Sequence, residues 1–277
     1  MGLVTVPEPT WFEIDEHYPD EMAERRRLLA ERHAEVFGTM PGSQAACEEA
    51  LAAVVAHLPA HHPGMFSRDG LTLTNHATSE AWDLAGPPCD PLELAGRLVQ
   101  EDLCLIQLTP DGPVFTAAVL CFPSRWRLHE KLGRPLGAVH GSVPIYPDRL
   151  ARPVDRFMAH LKPDHIASRL NWSIVDDPVL FQPTGKWRTE ANVPINLQTV
   201  GSRLYLRVER QTFRRLPRTG AVLFGIRVHR YRLDAVISEA GIAGRLADAV
   251  RALPPEVTHY KSLPPYRDAL LAWLGQR

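Results

Sequence analysis

The sequence predicts an α+β fold: an antiparallel sheet with flanking helices and helical additions at both ends. Three observations carry this. Apolar residues recur with helical spacing before about residue 60 and again after about residue 236. Between these regions the period shortens to two, in short runs rich in β-branched and aromatic residues. Two turn sequences, Thr109-Pro110-Asp111-Gly112-Pro113 and Arg215-Leu216-Pro217-Arg218-Thr219-Gly220, each join two such runs as a hairpin.

In chain order, Asp20 is placed to cap a first helix with Met22, Leu28, Leu29 and Val36 on its apolar side and Gly38 past its end. Ser43 is placed to cap a second, alanine-rich helix ending near Pro59. Leu71 to Asn75 alternates as a short strand. Asp90-Pro91-Leu92-Glu93 combines a cap, a first-turn proline and an acid at the third position, so a helix starts there. Leu103–Leu108 and Val114–Phe122 form the first hairpin. Ser124–Lys131 reads as a short helix stopped by Gly133. Gly137, Gly141, Pro144 and Pro147 make residues 137–147 a loop. Val154–Leu161 reads as a helix, and Arg169–Val175, Leu204–Phe213 and Val222–Tyr231 as strands. Helix returns from about Gly241 and from about Pro265.

The bulk properties exclude several classes. With 277 residues, one domain with helical additions is expected: an extension over 1–60, a core over 65–235 and a C-terminal segment over 236–277. The net charge is −1, from 31 basic and 32 acidic residues, so no nucleic-acid partner is expected. Cys47, Cys89, Cys104 and Cys121 offer no C-x-x-C pair for zinc or an iron–sulfur cluster. No signal peptide and no membrane-spanning apolar run is read, so free thiols in a reducing cytoplasm are expected. The G-x-G-x-x-G, G-x-x-x-x-G-K, G-x-S-x-G and H-E-x-x-H patterns are missing, so no flavin or nicotinamide fingerprint is present.

Four segments hold residues suited to chemistry. In Cys121–Pro147, His129 and His140 stand with Arg125, Arg127 and Arg134 among apolar residues and turn formers. Haem binding needs this mixture: an imidazole for iron, apolar walls, and cations for the propionates. A loop histidine is also commonly a structural hydrogen-bonder. In Leu204–Pro217 alternation sets Tyr205, Arg207, Glu209 and Gln211 opposite Leu204, Leu206 and Val208. That polar row is either solvated or inside a pocket, where Glu209 would bind a cationic amine, Arg207 would orient it, and Arg227 and His229 of the next strand would join them. In Arg169–Ile174, Trp172 is read as core, with Asn171 and Ser173 on the opposite face. Finally, His57, His61 and His62 resemble a metal cluster, but Pro59 argues against a shared helical face and for a solvated turn.

At the first three of these segments the sequence resembles the haem-dependent oxidative N-demethylase family. The matching blocks are Arg125-Trp126, Lys131–Leu136, Val139-His140-Gly141-Ser142-Val143-Pro144, Asn171-Trp172-Ser173, and Leu206–Pro217. They lie within residues 65–235. The resemblance implies a haem-binding PAS-like core with a five-stranded antiparallel sheet. It implies a haem monooxygenase that takes a small secondary alkylamine, dioxygen and outside electrons, and releases formaldehyde. The electrons would come from a separate NADPH-linked flavin or iron–sulfur reductase. It assigns the iron to His140, with His129 in reserve. The propionates are expected at Arg125, Arg134, Arg210, Arg214 and Arg218, and the catalytic set is expected to be Glu209, Arg207 and Gln211. The rival expectations are a non-catalytic haem sensor and a haem-free small-molecule binder. The amine, the reductase and the oligomeric state are not specified by these residues.

Overall fold

The computed structural model describes residues 2–141, 143–144, 146 and 150–277. Ten strands are described: β1 (Val4–Val6), β2 (Phe37–Thr39), β3 (Phe66–Asp69), β4 (Thr72–Asn75), β5 (Glu80–Asp83), β6 (Asp102–Thr109), β7 (Gly112–Val119), β8 (Ile166–Val175), β9 (Tyr205–Arg215) and β10 (Val222–Arg232). Seven form the main sheet in the order β1-β8-β9-β10-β6-β7-β2, and β3-β4-β5 form a small sheet. All pairings between these strands are antiparallel, so the α+β expectation holds. The five long strands β6–β10 are the five-stranded antiparallel unit that the resemblance implies, widened by three-residue edge strands at both sides.

Both predicted hairpins form: Thr109 pairs with Gly112, and Arg215 with Val222. The departures have local causes. The first helix is Tyr18–Glu31, capped at His17, so Asp20 falls in its first turn instead of capping it. Ser43 does occupy the cap of helix Gln44–His61, but its Oγ donates back to the Met40 carbonyl at 2.7 Å. That helix continues through Pro59 to His61, because only its last turn lacks the proline's N–H bond. The solvated-turn reading of His57, His61 and His62 is therefore wrong: His57 is 3% exposed. Asp90 caps helix Pro91–Gly96 as predicted, accepting from the Leu92 amide at 2.8 Å. Gly96 lets this helix approach β7, since a Cβ there would stand 2.2 Å from Val119 Cγ1. The expected helix over 124–131 is only a single 3-10 turn, Leu128–Glu130, preceded by Arg125 with φ 62°. The expected 137–147 loop begins with a helical turn, Leu136–Val139, and part of it (142, 145 and 147) lies outside the described residues.

The sheet is covered on both faces. On one, the N-terminal segment runs across β9 and β10: Arg210 donates to the Thr10 and Trp11 carbonyls, Arg214 pairs with Glu8 at 2.6 Å, and Arg227 pairs with Glu21 at 2.8 Å. Helix Tyr18–Glu31 inserts Arg25, fully buried, against Asp102 at 3.1 Å. Asp102 also accepts from the Cys121 and Phe122 amides, both at 2.8 Å. This buried pair fixes the chain as it leaves β7 for the other face of the sheet. There helix Ala151–His160, the turn Leu136–Val139 and the end of helix Pro255–Tyr260 enclose a cavity.

Candidate functional site

The cavity has a volume of about 390 Å³, within the range of small-molecule and cofactor sites. Its apolar walls include Ile106, Phe115, Phe157, Phe213, Phe224 and Ile226. Register explains its polar floor. Glu209 stands opposite Asn171, Gln211 opposite Arg169, and Arg207 opposite Ser173, so all six project to one face. Glu209 is 9% exposed, and its Oε2 accepts from Gln211 Nε2 at 2.8 Å and Asn171 Nδ2 at 3.2 Å. The expected pocket-facing row of Arg207, Glu209 and Gln211 is thus in place.

His140 lines the same cavity. Its Nδ1 donates to the Leu136 carbonyl at 2.9 Å, one turn back in the chain, and its ring stacks on Tyr146 at 4.4 Å. Burial pushes its pKa down to about 4, so the ring is neutral at physiological pH. With Nδ1 carrying the proton, Nε2 keeps a free lone pair. A carbonyl fixing the other nitrogen is the usual support of a metal-binding imidazole. His129 is exposed and lies on a different cleft beside Arg32, Glu35 and Phe181.

Cations ring the floor. Arg125, Lys131, Arg169, Lys186 and Lys261 all line the cavity. Burial pushes Lys131 down to about 8, and burial also lowers Lys186 and Lys261, with Glu209 as a shared opposing charge. Lys261 donates to the Trp172 carbonyl at 2.5 Å and to Asn171 Oδ1 at 3.4 Å. Arg169 Nε and Tyr146 OH are buried with no hydrogen-bond partner among the described residues. Buried donors left unpaired are costly, and a bound anionic or polar ligand would satisfy them.

Several predicted residues lie elsewhere. Arg210, Arg214 and Arg218 do not line the cavity. Arg210 and Arg214 point to the opposite face and pair with Glu13 and Glu8, while exposed Arg218 pairs with Glu49. Even-numbered positions of β9, Arg210 and Arg214 among them, cannot share the face of Glu209. Arg134 is exposed and outside the cavity wall. Arg125 is on the wall, near Asp176 at 4.0 Å. Arg227 and His229 do not share the Glu209 site: Arg227 is opposite Arg210, and His229 bonds Glu13 at 2.9 Å. Arg207 lines the cavity floor, but its guanidinium is spent on the carbonyls of Phe122, Val179 and Leu180 at 2.9, 3.1 and 3.0 Å and on Ser124 Oγ at 2.9 Å. It holds the Phe122–Ser124 strand exit and the 179–180 turn together.

The unpredicted members are Arg169, Lys131, Lys186, Lys261 and Tyr146. Extending the Asn171/Ser173 alternation by two residues would have found Arg169. Lys131 lies inside one of the blocks quoted above. Lys261 and Lys186 come from segments with no local signature, brought in only by tertiary folding.

The model of the haem-dependent oxidative N-demethylase, alpha subunit-like, family matches residues 2–271. The chain belongs to that family. The match spans the N-terminal segment, the sheet and the C-terminal helices, beyond the 65–235 region that carries the resemblance. A haem-dependent N-demethylase-like protein needs a neutral imidazole, apolar walls for a macrocycle, and cations for two propionates. The cavity offers His140, the aromatic and aliphatic walls, and the Arg125, Lys131, Arg169, Lys186 and Lys261 set, with Arg169 Nε lacking an acceptor among the described residues. The residues present fit the group. No helix among the described residues is long and apolar enough to cross a membrane.

Proposed function

We propose that this chain binds haem through His140 and oxidatively N-demethylates a small alkylamine, using dioxygen and electrons from a separate NADPH-linked flavin or iron–sulfur reductase. The observation that carries this is the convergence, in one cavity, of a neutral histidine with a free ring nitrogen and a buried carboxylate held by two amide donors. When bound, haem supplies dioxygen activation for oxidation at the carbon next to nitrogen, which releases formaldehyde.

The chain's own residues do the rest. His140 holds the iron, and the Leu136 carbonyl keeps Nδ1 as the protonated nitrogen. Lys131, Lys186, Lys261, Arg125 and Arg169 meet the propionates, replacing Arg134, Arg210, Arg214 and Arg218 in that role. Glu209 binds the ammonium of the substrate, because a cation in a largely buried site needs a compensating charge. Gln211 and Asn171 fix that carboxylate from either side, and the aromatic walls keep water from the reacting carbon. Arg207 is a positioning residue that shapes the cavity from behind. The alpha subunit-like description supports a further subunit, and we take that subunit as the electron source.

The test is formaldehyde release from a secondary alkylamine. It should track NADPH consumption when a competent reductase is present and be negligible with NADPH and the purified chain alone. Haem binding with no amine oxidised under competent electron delivery would point to a sensor instead.

A further inference from the structure

On the sheet face opposite the cavity, three imidazoles and a carboxylate meet. Helix Gln44–His61 presents His57 and His61 one turn apart, with ring centroids 4.5 Å apart. Glu8, from the short turn after β1, places Oε1 3.3 Å from His57 Nδ1. One ligand atom from each of Glu8, His57 and His61 lies within 4.8 Å of the others. His62 follows at 5.9 Å from the His57 ring. Nothing in the demethylase reading uses these groups.

Two features set this cluster apart from an ordinary surface group. His57 is 3% exposed, and its Nε2, like Nε2 of His62, is buried without a hydrogen-bond partner among the described residues. Trp11 and Phe12 stand edge-on to the His57 ring, at 5.3 and 5.4 Å, so it cannot swing out to water. In addition, Glu8 Oε1, the oxygen that faces His57, accepts from Arg214 Nη1 at 2.6 Å, while Arg214 lies over Trp11 at 4.1 Å. A hydrogen-bonded partner of that kind orients and tunes metal ligands generally.

We propose that Glu8, His57 and His61 form a second metal site, separate from the haem cavity, for a divalent ion of the zinc class. Two imidazoles one helical turn apart and one carboxylate are a donor set for such ions, with a fourth position left for water or His62. A chelating bridge there would tie the turn after β1 to the end of helix Gln44–His61. It would act as a clip for the segment whose Thr10, Trp11 and Glu13 cover Arg210. The site is structural: it lies on the face of Arg210 and Arg214, not that of Glu209.

The test is calorimetric titration of the tag-free, as-isolated full chain with zinc chloride, with thermal unfolding recorded in parallel. One zinc per chain should bind and raise Tm. His61→Ala and Glu8→Gln should each weaken binding by at least about tenfold, as loss of a ligand exceeds loss of an outer partner, and should abolish the zinc-dependent rise in Tm. His129→Ala, outside the cluster, should leave both unchanged. His61 is half-buried at a helix end, so its alanine variant should fold, and Glu8→Gln provides a second reading if it does not. Absence of zinc binding, or binding undiminished in both variants, overturns the proposal.

Discussion

Replacing Glu209 by glutamine removes one charge without changing shape, and the structure predicts where the loss falls. The carboxylate is 9% exposed and accepts two amide hydrogen bonds on Oε2, from Gln211 and Asn171. A glutamine can keep both by presenting its carbonyl oxygen there, at the neutral strength of about 1 kcal/mol each instead of about 1.5–3. The fold should therefore survive with a loss of about 1–4 kcal/mol. Substrate binding loses more. An ammonium about 4 Å from a charge in a partly buried site gains about 4 kcal/mol at an effective dielectric of 20, before desolvation is subtracted. A net loss of about 2–3 kcal/mol corresponds to a fall in kcat/KM of about thirtyfold to a hundred-and-fiftyfold. The assay is reductase-coupled formaldehyde release over a range of amine concentrations, with haem content checked by absorption. An E209Q enzyme with full haem content and kcat/KM within about threefold of the parent would refute Glu209 as the amine's partner.

Other outcomes follow from the same geometry. His140→Ala should lose normal iron ligation while circular dichroism stays native, and His129→Ala should be spectroscopically normal; the reverse pattern would move the ligand to His129. Lys131, pushed down to about 8 by burial, is charged below that pH and neutral above it, so haem association with the apoprotein should weaken as pH rises through about 8. The inflection should vanish in Lys131→Met, and its persistence there would assign it to another group. Asp102→Ala strands the fully buried Arg25 and two amides, and should cost about 3–5 kcal/mol in urea unfolding. Arg207→Met should lower stability and cavity order together. A variant with native stability but selectively raised KM would restore Arg207 as a substrate-orienting residue.

Much of the architecture was legible because it is local. The 109–113 and 215–220 turns and the alternation around them located four of the five long strands, the alternation of Arg169–Val175 located β8, and Asp90-Pro91 located a helix start. The edge strands β1 and β2 were not legible: three residues are too few to show a period, and each exists only because β8 or β7 offers a partner. The site divides in the same way. The row Arg207, Glu209, Gln211 and its neighbours Asn171 and Ser173 followed from period two. Arg210 and Arg214, expected at the propionates, fall on the face opposite the cavity because even-numbered positions of β9 alternate away from Glu209. Lys186 and Lys261 reach the cavity from remote segments, which no single stretch of sequence records. The burial of His57 was not legible because Pro59 ordinarily breaks a helix, whereas a proline in the last turn leaves the helix before it intact.

Haem binding at His140, in the cavity above β8–β10, underlies every proposal made for this chain's activity. The most direct measurement is the absorption spectrum of the purified protein, taken as isolated, after added haemin, and after dithionite and carbon monoxide. A Soret band is expected at one haem per chain that shifts on reduction and again with carbon monoxide, and that is lost or altered in His140→Ala. A colourless protein that gains no Soret band with haemin would contradict it.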